Sequence, residues 1–362
     1  MFNSDKFGYY TVGDFKTYSK YEACKLGNPS WHFNDEVYSS IDWKIDPNVK
    51  LDDLYKLRAL QIREKYDHLV LFYSGGSDSH NILKTFLNNN IKLDEIASIT
   101  EYDITKNKNT YQNAEIYNQV ISDIKELPFE IKFRLIEIGQ LALDIIKDDN
   151  FDYLNNVNFS ISPVQVAKQV LRDKIDDWKK IIESGKKLVF IWGKERPFID
   201  TYQNKRYCFF RDSIDDCVGP YVQKNHDKGW YDEFFYWTPD MPLLTVKMAH
   251  TLKNFLDNHN NEIFYKPYQS MFGFNNNINM WMRDETSKKL LYSNWNNTRF
   301  DLGKPLNYIF SIRDKWWKKL NSQENIIFNN IVNKYISTVD PHIPKNEIKK
   351  LSPCYSKKYW IE

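Results

Sequence analysis

The sequence predicts an α/β fold, in which a parallel sheet carries helices on both faces and is followed by a mostly helical second half. Short apolar runs alternate with amphipathic segments along residues 51–200. Strands that alternate with helices in this way form parallel sheets. Beyond residue 200 the alternation stops, and helical periods return at 243–256 and 307–336.

The predicted elements follow from apolar spacing and from the residues that start and stop helices. The segment 51–66 carries leucines and an isoleucine at helical spacing. The long helix at 163–184 begins at Ser162-Pro163, a cap followed by a first-turn proline. The other predicted elements are helices at 79–89, 111–122 and 140–147 and strands at 69–72, 95–100, 130–136 and 187–192.

The chain divides into three predicted regions. Residues 1–50 form an N-terminal extension that is aromatic and polar, with no clear period. Residues 51–200 form the α/β domain. Residues 201–362 form a mostly helical region, which we expect to cap the site and to build the substrate pocket.

The composition predicts a well-packed protein and is compatible with a reducing cytoplasm. Aromatic residues make up 16% of the chain, which favours a packed interior over disorder. The four cysteines lack any Cys-x-x-Cys pair, which argues against a zinc ribbon, an iron–sulfur cluster or a disulfide framework. No apolar run is long enough to span a bilayer, so no membrane partner is expected. The net charge of +2 is compatible with a nucleic-acid partner but does not imply one.

The most informative segment is the loop at 74–79, Ser-Gly-Gly-Ser-Asp-Ser, which follows an apolar strand and opens a helix. Glycines permit positive φ, and the free N–H groups and dipole of a helix N-terminus favour an anion. A carboxylate beside such a cradle is explained best by a divalent metal that bridges it to phosphate. The predicted nucleotide-binding residues are Ser74, Gly75, Gly76, Ser77, Asp78 and Ser79.

The loop resembles the Ser-Gly-Gly-x-Asp-Ser loop of the PP-loop ATP pyrophosphatases. It is not a Walker A loop, because no Gly-Lys-Ser/Thr follows. The order of elements over residues 50–200 is most similar to the synthetase domain of the asparagine-synthase family, a branch of that superfamily. The resemblance implies an adenine nucleotide α-hydrolase-like fold that binds ATP and Mg²⁺. It also implies that the loop holds the pyrophosphate of ATP while the α-phosphate is attacked.

A second turn, which begins Gly193-Lys194-Glu195-Arg196, follows the strand at 187–192, where that family places an acidic turn. Both turns lie at carboxyl ends of predicted parallel strands, so we expect them to line one cleft. The resemblance implies that Asp78 and Glu195 hold Mg²⁺, and that Lys194 or Arg196 neutralises charge as pyrophosphate leaves. Lys194 departs from the acidic pattern. A lysine there contacts phosphate as a point charge, or it marks a site that has lost catalysis.

Two further residues are candidates for the site. His80 follows the loop directly and is a candidate general base, although the first turn of a helix equally lets it face solvent. Glu101, just after the second predicted strand, is a candidate contact to adenine or ribose, with a plain solvated turn as the alternative.

The implied reaction adenylates a carboxylate or carbonyl substrate, releases pyrophosphate and joins the adenylate to ammonia or an amine. The glutamine-using members of the family carry a glutaminase domain with cysteine directly after Met1. This chain has Phe2 and about 65 residues before the first apolar strand. Nitrogen is therefore expected from free ammonia, an amine substrate or a separate partner. The alternatives are an ATP-dependent nucleobase- or tRNA-modifying enzyme, and a nucleotide-binding protein that no longer turns over.

Overall fold

The structure is a computed structural model that describes residues 4–100, 119–128, 130–157, 161–194, 197–203, 205–212, 218–225, 228–258, 285–293, 322–339 and 353–362. Its strands are Tyr9–Val12 (β1), Phe15–Thr17 (β2), Ser30–His32 (β3), His68–Phe72 (β4), Glu95–Thr100 (β5), Lys132–Glu137 (β6), Leu188–Trp192 (β7), Phe198–Tyr202 (β8), Lys205–Phe209 (β9), Trp230–Phe234 (β10) and Tyr359–Trp360 (β11). Its helices are Lys20–Leu26 (α1), Asp35–Ser39 (α2), Leu51–Lys65 (α3), Ser77–Asn88 (α4), Ile121–Lys125 (α5), Gly139–Lys147 (α6), Pro163–Val170 (α7), Asp176–Glu183 (α8), Pro220–Lys224 (α9), Pro242–Asn258 (α10), Glu285–Leu291 (α11) and Ser322–Val339 (α12).

In the described part of the chain, five parallel strands form the central sheet, in the order β10-β7-β4-β5-β6. The chain builds this sheet outward from β4: β5 and β6 follow on one side, and β7 and β10 follow on the other. Strands β4 and β7 pair in register from His68↔Leu188 to Phe72↔Trp192. The strand order reverses between these two strands. Open parallel sheets bind ligands at such a reversal, beyond the carboxyl ends of the strands.

Strand β10 carries two adjacent charges, which the sheet buries on opposite faces. Consecutive side chains of a strand point to opposite faces, so Asp232 and Glu233 do not share a side. Arg172 donates to Oδ1 of Asp232 at 2.5 Å, and Arg58 of α3 donates to Oε2 of Glu233 at 2.7 Å. Helical segments therefore flank both faces of the sheet, which confirms the α/β class.

The pKa values of these two carboxylates shift in opposite directions, because burial and neighbouring charge balance differently at each. Burial alone would raise the pKa of Glu233, but the positive charges of Lys6, Arg58 and Lys65 outweigh it and hold the pKa well below its usual range. For Asp232, burial outweighs the attraction of Arg172 and raises the pKa. Glu233 is therefore the better-stabilised anion of the two, and it ties α3 to the edge of the sheet.

The structure corrects the prediction in the region of β10 and in the long helix. Strand β10 belongs to the central sheet, so the α/β architecture extends past the predicted boundary at residue 200. Its two carboxylates interrupt the apolar pattern, and hydrophobic spacing therefore does not reveal the strand. The predicted helix at 163–184 is two helices, α7 and α8, separated by the 3-10 turn Leu171–Lys174. Arg172 lies in that turn, where its side chain reaches Asp232.

The second half contains strands as well as the predicted helices. The hairpin β8–β9 pairs with β11 in an antiparallel sheet. Helix α10 confirms the period seen at 243–256. Helix α12 overlaps the predicted helix at 307–336, whose first part lies outside the described residues, as does most of the predicted helix at 111–122. No helix among the described ranges is long and apolar enough to cross a membrane.

The N-terminal extension forms strands and helices, and it packs against the second half of the chain. Strands β1–β3 form a small antiparallel sheet in the order β2-β1-β3. Beyond it, the ring of Phe33 lies 4.8 Å from that of Phe210, and Tyr38 lies 4.6 Å from the same ring. Trp43 stacks on Tyr359 at 4.9 Å. The aromatic surplus of the sequence therefore forms core, and it joins the two ends of the chain.

The charge cluster at Glu233 yields a stability prediction. Substitution Arg58→Ala should lower the free energy of unfolding by about 3–5 kcal/mol, because it removes a fully buried partner of a buried carboxylate. Substitution Lys65→Ala removes a half-exposed partner that lies 3.1 Å from the same carboxylate, and it should cost less than about 1 kcal/mol. Urea denaturation of both variants measures the difference. Equal losses would show that burial does not set the strength of these pairs.

Candidate functional site

The candidate site lies where the strand order reverses, at the carboxyl ends of β4 and β7. The last residues of the two strands, Phe72 and Trp192, stack with ring centroids 4.0 Å apart and planes 6° from parallel. The loop at 74–79 continues from β4, and Gly193 continues from β7. The pairing of two strands thus fixes where both predicted turns begin.

The loop makes a tight turn that is bonded mainly to itself. Gly75 has a φ of +79°, a left-handed conformation that glycine adopts without strain. The hydroxyl of Ser79 donates to the carbonyl of Gly76 at 3.2 Å and lies 3.3 Å from the hydroxyl of Ser74. The backbone N–H of Gly76 donates to the Ser74 hydroxyl at 3.3 Å. These long bonds shape the loop, and they are weak enough to exchange for a stronger acceptor.

Helix α4 presents its N-terminus at the end of this loop. Its cap residue is Gly76, in an extended conformation, so no side chain of the cap residue accepts from the first N–H groups. The first four N–H groups of any α-helix lack an intrahelical acceptor, and the helix dipole adds partial positive charge there. An anion that enters the loop would meet these donors. The loop thus leads into a helix N-terminus as the sequence predicts, and phosphate binding there stays a prediction.

The turn after β7 presses directly on the first turn of α4. A Cβ placed on Gly193 would lie 2.9 Å from the backbone nitrogen of Ser79 and 3.2 Å from the carbonyl carbon of Asp78. Real Cβ atoms do not approach backbone this closely, so only glycine fits at this position without movement. Gly193 therefore lies against the first turn of α4, and Lys194 follows it directly as a half-buried residue. That the two turns line one cleft stays a prediction.

Asp78 is held by tyrosines from distant parts of the chain. The hydroxyl of Tyr292, just after α11, donates to Oδ1 of Asp78 at 2.5 Å. The hydroxyl of Tyr236, just after β10, donates to the backbone carbonyl of Asp78 at 2.8 Å. Among the described residues, no hydrogen bond is made to Oδ2 of Asp78. One oxygen of this partly exposed carboxylate thus remains for a ligand.

His80 lies in a buried polar cluster. Its Nδ1 is 3.0 Å from the hydroxyl of Tyr73 and 3.4 Å from Oδ2 of Asp123. Tyr73 also donates to Asp123, and the side-chain amide of Gln119 donates to the same oxygen at 2.7 Å. The alternative that His80 faces solvent is therefore wrong, because the residue is only 4% exposed. A role as general base stays a prediction.

The cluster keeps Asp123 ionised. Burial by itself would raise the pKa of Asp123, but the hydrogen bonds from His80, Gln119 and Tyr73 outweigh it and hold the pKa below its usual value. Because Tyr73 directly follows β4 and its N–H bonds to the carbonyl of Ala97 in β5, the cluster lies toward the β5 side of the loop. Gly193 approaches the loop from the β7 side.

Three of the predicted site residues lie outside the described residues: Glu101, Glu195 and Arg196. Their predicted roles stay predictions. Within the ranges that the structure describes, no group of three or more His, Cys, Asp or Glu side chains forms a metal site. Of the described residues in the loop and its flanking turn, Asp78 is the one carboxylate at the predicted magnesium site. Mg²⁺ is usually held by one or two carboxylates together with substrate phosphates.

Sequence reasoning missed four side chains at this site. Tyr73 follows β4 as one more aromatic residue in an apolar run, and Asp123 lies in a helix that the pattern only partly reveals. Tyr236 and Tyr292 stand 158 and 214 residues from their partner Asp78. No local pattern indicates such contacts, since they depend on tertiary packing alone.

Comparison with known proteins identifies no family. A scan against protein-family models finds no match to the chain. A search of curated proteins finds no significant relative.

The contact at Gly193 leads to a first prediction for the site. Substitution Gly193→Ala should displace the first turn of α4 and lower the free energy of unfolding by about 1–3 kcal/mol, because neither backbone can give way without strain. Amide resonances of Asp78 and Ser79 should shift. In Gly185→Ala the new Cβ meets nothing within 4 Å, although the φ of +82° strains an alanine there. This variant should therefore lose some stability, while the resonances of Asp78 and Ser79 stay in place. Unmoved resonances in Gly193→Ala would contradict the close approach.

The lowered pKa of Asp123 predicts a pH dependence. Its folded pKa lies below the unfolded value, so its contribution is fully present above the unfolded pKa of about 4 and is lost as the pH falls through the folded pKa. Asp123→Asn should cost about 1–3 kcal/mol at pH 7. Denaturation at pH 7 and below pH 4 should show this difference shrink in acid. A difference that is constant with pH would argue against an ionised Asp123.

Proposed function

We propose that the chain is an ATP-dependent ligase that adenylates a carboxylate or carbonyl substrate, releases pyrophosphate and joins the adenylate to ammonia or an amine. One observation carries this proposal: a glycine loop opens the uncapped N-terminus of α4 at the strand-order reversal of a parallel sheet. Gly193 closes on that helix turn from the neighbouring strand. Helix N-termini in such positions bind phosphate groups.

Several features favour a pyrophosphate group over a single small anion. The positive φ of Gly75 turns the backbone of the loop, and the first N–H groups of α4 follow without an intrahelical acceptor. Successive N–H groups of this kind form an anion-binding concavity. Lys194 stands beside Gly193, next to the helix turn that would hold the anion. A lysine there would add a point charge for the phosphates.

Asp78 is the residue that we propose to hold Mg²⁺, together with Glu195. The carboxylate of Asp78 is partly exposed, and its Oδ2 accepts no hydrogen bond from a described residue. Oxygen ligands from one or two carboxylates suit Mg²⁺. When bound, Mg²⁺ would supply charge neutralisation to the phosphates.

In the proposed reaction, an oxygen of the acceptor attacks the α-phosphorus of ATP and forms a new P–O bond. The bond from that phosphorus to the β-phosphate oxygen breaks, and pyrophosphate leaves with the electron pair. Ammonia or an amine then attacks the activated carbon, and AMP leaves while the nitrogen loses a proton. The chain contributes position and charge: the N–H groups of the loop bind the leaving pyrophosphate, and Lys194 or Arg196 neutralises it. His80 lies within hydrogen-bonding distance of Tyr73 and Asp123. These contacts suit a residue that supports the loop.

Titration calorimetry with ATP and Mg²⁺ tests the nucleotide site. The wild type should bind MgATP. Ser74→Ala should weaken binding about 10- to 150-fold, because a hydrogen bond to a charged group contributes about 1.5–3 kcal/mol. Asp78→Ala should remove the part of the affinity that depends on Mg²⁺. The control Asp144→Ala changes the same charge at an exposed position of α6, and it should bind as the wild type does.

Pyrophosphate release separates the ligase from the alternatives. Release that requires a carboxylate together with ammonia or an amine supports the ligase. Release that requires tRNA or a nucleobase favours the modifying enzyme. Binding of ATP without release under any condition would favour a nucleotide-binding protein. A wild type that does not bind MgATP in the presence of acceptor pools would overturn the proposal.

A further inference from the structure

Three tyrosines form a cluster beside the glycine loop, and each comes from a different part of the chain. Tyr55 lies in α3, Tyr236 follows β10, and Tyr292 follows α11. Tyr55 and Tyr236 meet edge to face with ring centroids 5.8 Å apart, and Tyr236 lies 5.6 Å from Tyr292. All three side chains are at most 2% exposed. The cluster is therefore a packed part of the core that ends at the loop.

The hydroxyl groups of this cluster converge on Asp78 and on the segment that carries Tyr292. Tyr292 donates to Oδ1 of the Asp78 carboxylate at 2.5 Å. Tyr236 donates to the backbone carbonyl of the same residue at 2.8 Å, and it accepts from the side-chain amide of Asn81 at 3.1 Å. Tyr55 donates to the carbonyl of Leu291 at 2.8 Å, directly before Tyr292. Both the backbone and the carboxylate of Asp78 are thereby fixed.

We propose that Tyr292 is a positioning residue, which orients the Asp78 carboxylate so that Oδ2 faces the divalent metal of a bound nucleotide. This inference rests on the proposed function. An aspartate on the first turn of a helix has several rotamers, and a hydrogen bond to one oxygen selects among them. Groups that hydrogen-bond to a metal-binding carboxylate fix its orientation, and their loss typically weakens metal affinity about 10- to 100-fold.

Tyr292 connects the second half of the chain to the glycine loop. Tyr292 and Asp78 are 214 residues apart in the sequence, so only the tertiary structure brings the segment of α11 to the loop. Tyr55 ties that segment to α3, which in turn binds the edge strand through Arg58. The second half of the chain thus contributes directly to the geometry of the metal-binding carboxylate. It does more than cover the site.

The test measures Mn²⁺ binding at saturating α,β-methylene-ATP, by electron paramagnetic resonance. Tyr292→Phe should weaken Mn²⁺ binding about 10- to 100-fold, while its affinity for the nucleotide analogue in the absence of metal should stay within about twofold of the wild type. In an Asp78→Asn background, Tyr292→Phe should cause no further loss, because its effect passes through the carboxylate.

A matched control removes a similar hydrogen bond elsewhere. Tyr10 is also buried, and its hydroxyl donates to the carboxylate of Asp212 at 2.9 Å. Tyr10→Phe therefore reproduces the loss of a buried tyrosine–carboxylate bond away from the loop. It should leave Mn²⁺ affinity unchanged. A loss in Tyr10→Phe equal to that in Tyr292→Phe would reveal a general structural effect and overturn the positioning role.

The remaining outcomes separate this inference from the function on which it rests. Nucleotide binding by the wild type, with the same Mn²⁺ affinity in Tyr292→Phe, would overturn the role of Tyr292 alone. Additive losses in the Asp78→Asn background would overturn it as well. If the wild type binds the analogue neither with nor without Mn²⁺, the proposed function fails, and the role of Tyr292 fails with it.

Discussion

The pairing of β4 with β7 is the constraint on which the candidate site depends. The two strands run parallel and in register up to Phe72 and Trp192, whose rings stack at 4.0 Å. Because the strands end at the same level, the chain leaves both of them at one edge of the sheet. The glycine loop and Gly193 therefore lie next to each other at this edge. Their backbones approach closely enough that a single methyl group at Gly193 would collide with α4.

The edge of this sheet is stabilised by buried charge as well as by apolar contacts. Asp232 and Glu233 would be costly in a covered strand without partners. Arg172 and Arg58 meet them from opposite faces. A buried ion pair often stabilises a fold no more than apolar residues of the same size would. Removing one partner is nevertheless costly, because it leaves a buried charge without compensation. The pairs therefore fix which helical segments lie against β10, and Arg58 carries α3 and its Tyr55 to the neighbourhood of the loop.

Hydrogen bonds from aromatic side chains then define the surroundings of the loop on two sides. Toward β5, Tyr73 and Asp123 hold His80 in a buried cluster. On the other side, Tyr236 and Tyr292 hold Asp78. The loop keeps its own long internal bonds between these anchors. Under the proposed function, these anchors would preorganise the loop donors for a polyphosphate, while the long internal bonds of the loop would exchange for the ligand.

The sequence by itself determined the α/β class and the place of the glycine loop between a strand and a helix. It also determined that a glycine follows the next central strand. These features are local, since apolar spacing, glycine and helix-start residues act within a few positions of one another. Only the tertiary structure decided that Asp232 and Glu233 lie in a strand, that the 3-10 turn that carries Arg172 interrupts the long helix, and that Tyr292 meets Asp78. Each of these features depends on residues far apart in the sequence. A buried polar group that finds a partner of opposite charge, or a hydroxyl, can adopt a structure that the local sequence pattern does not favour.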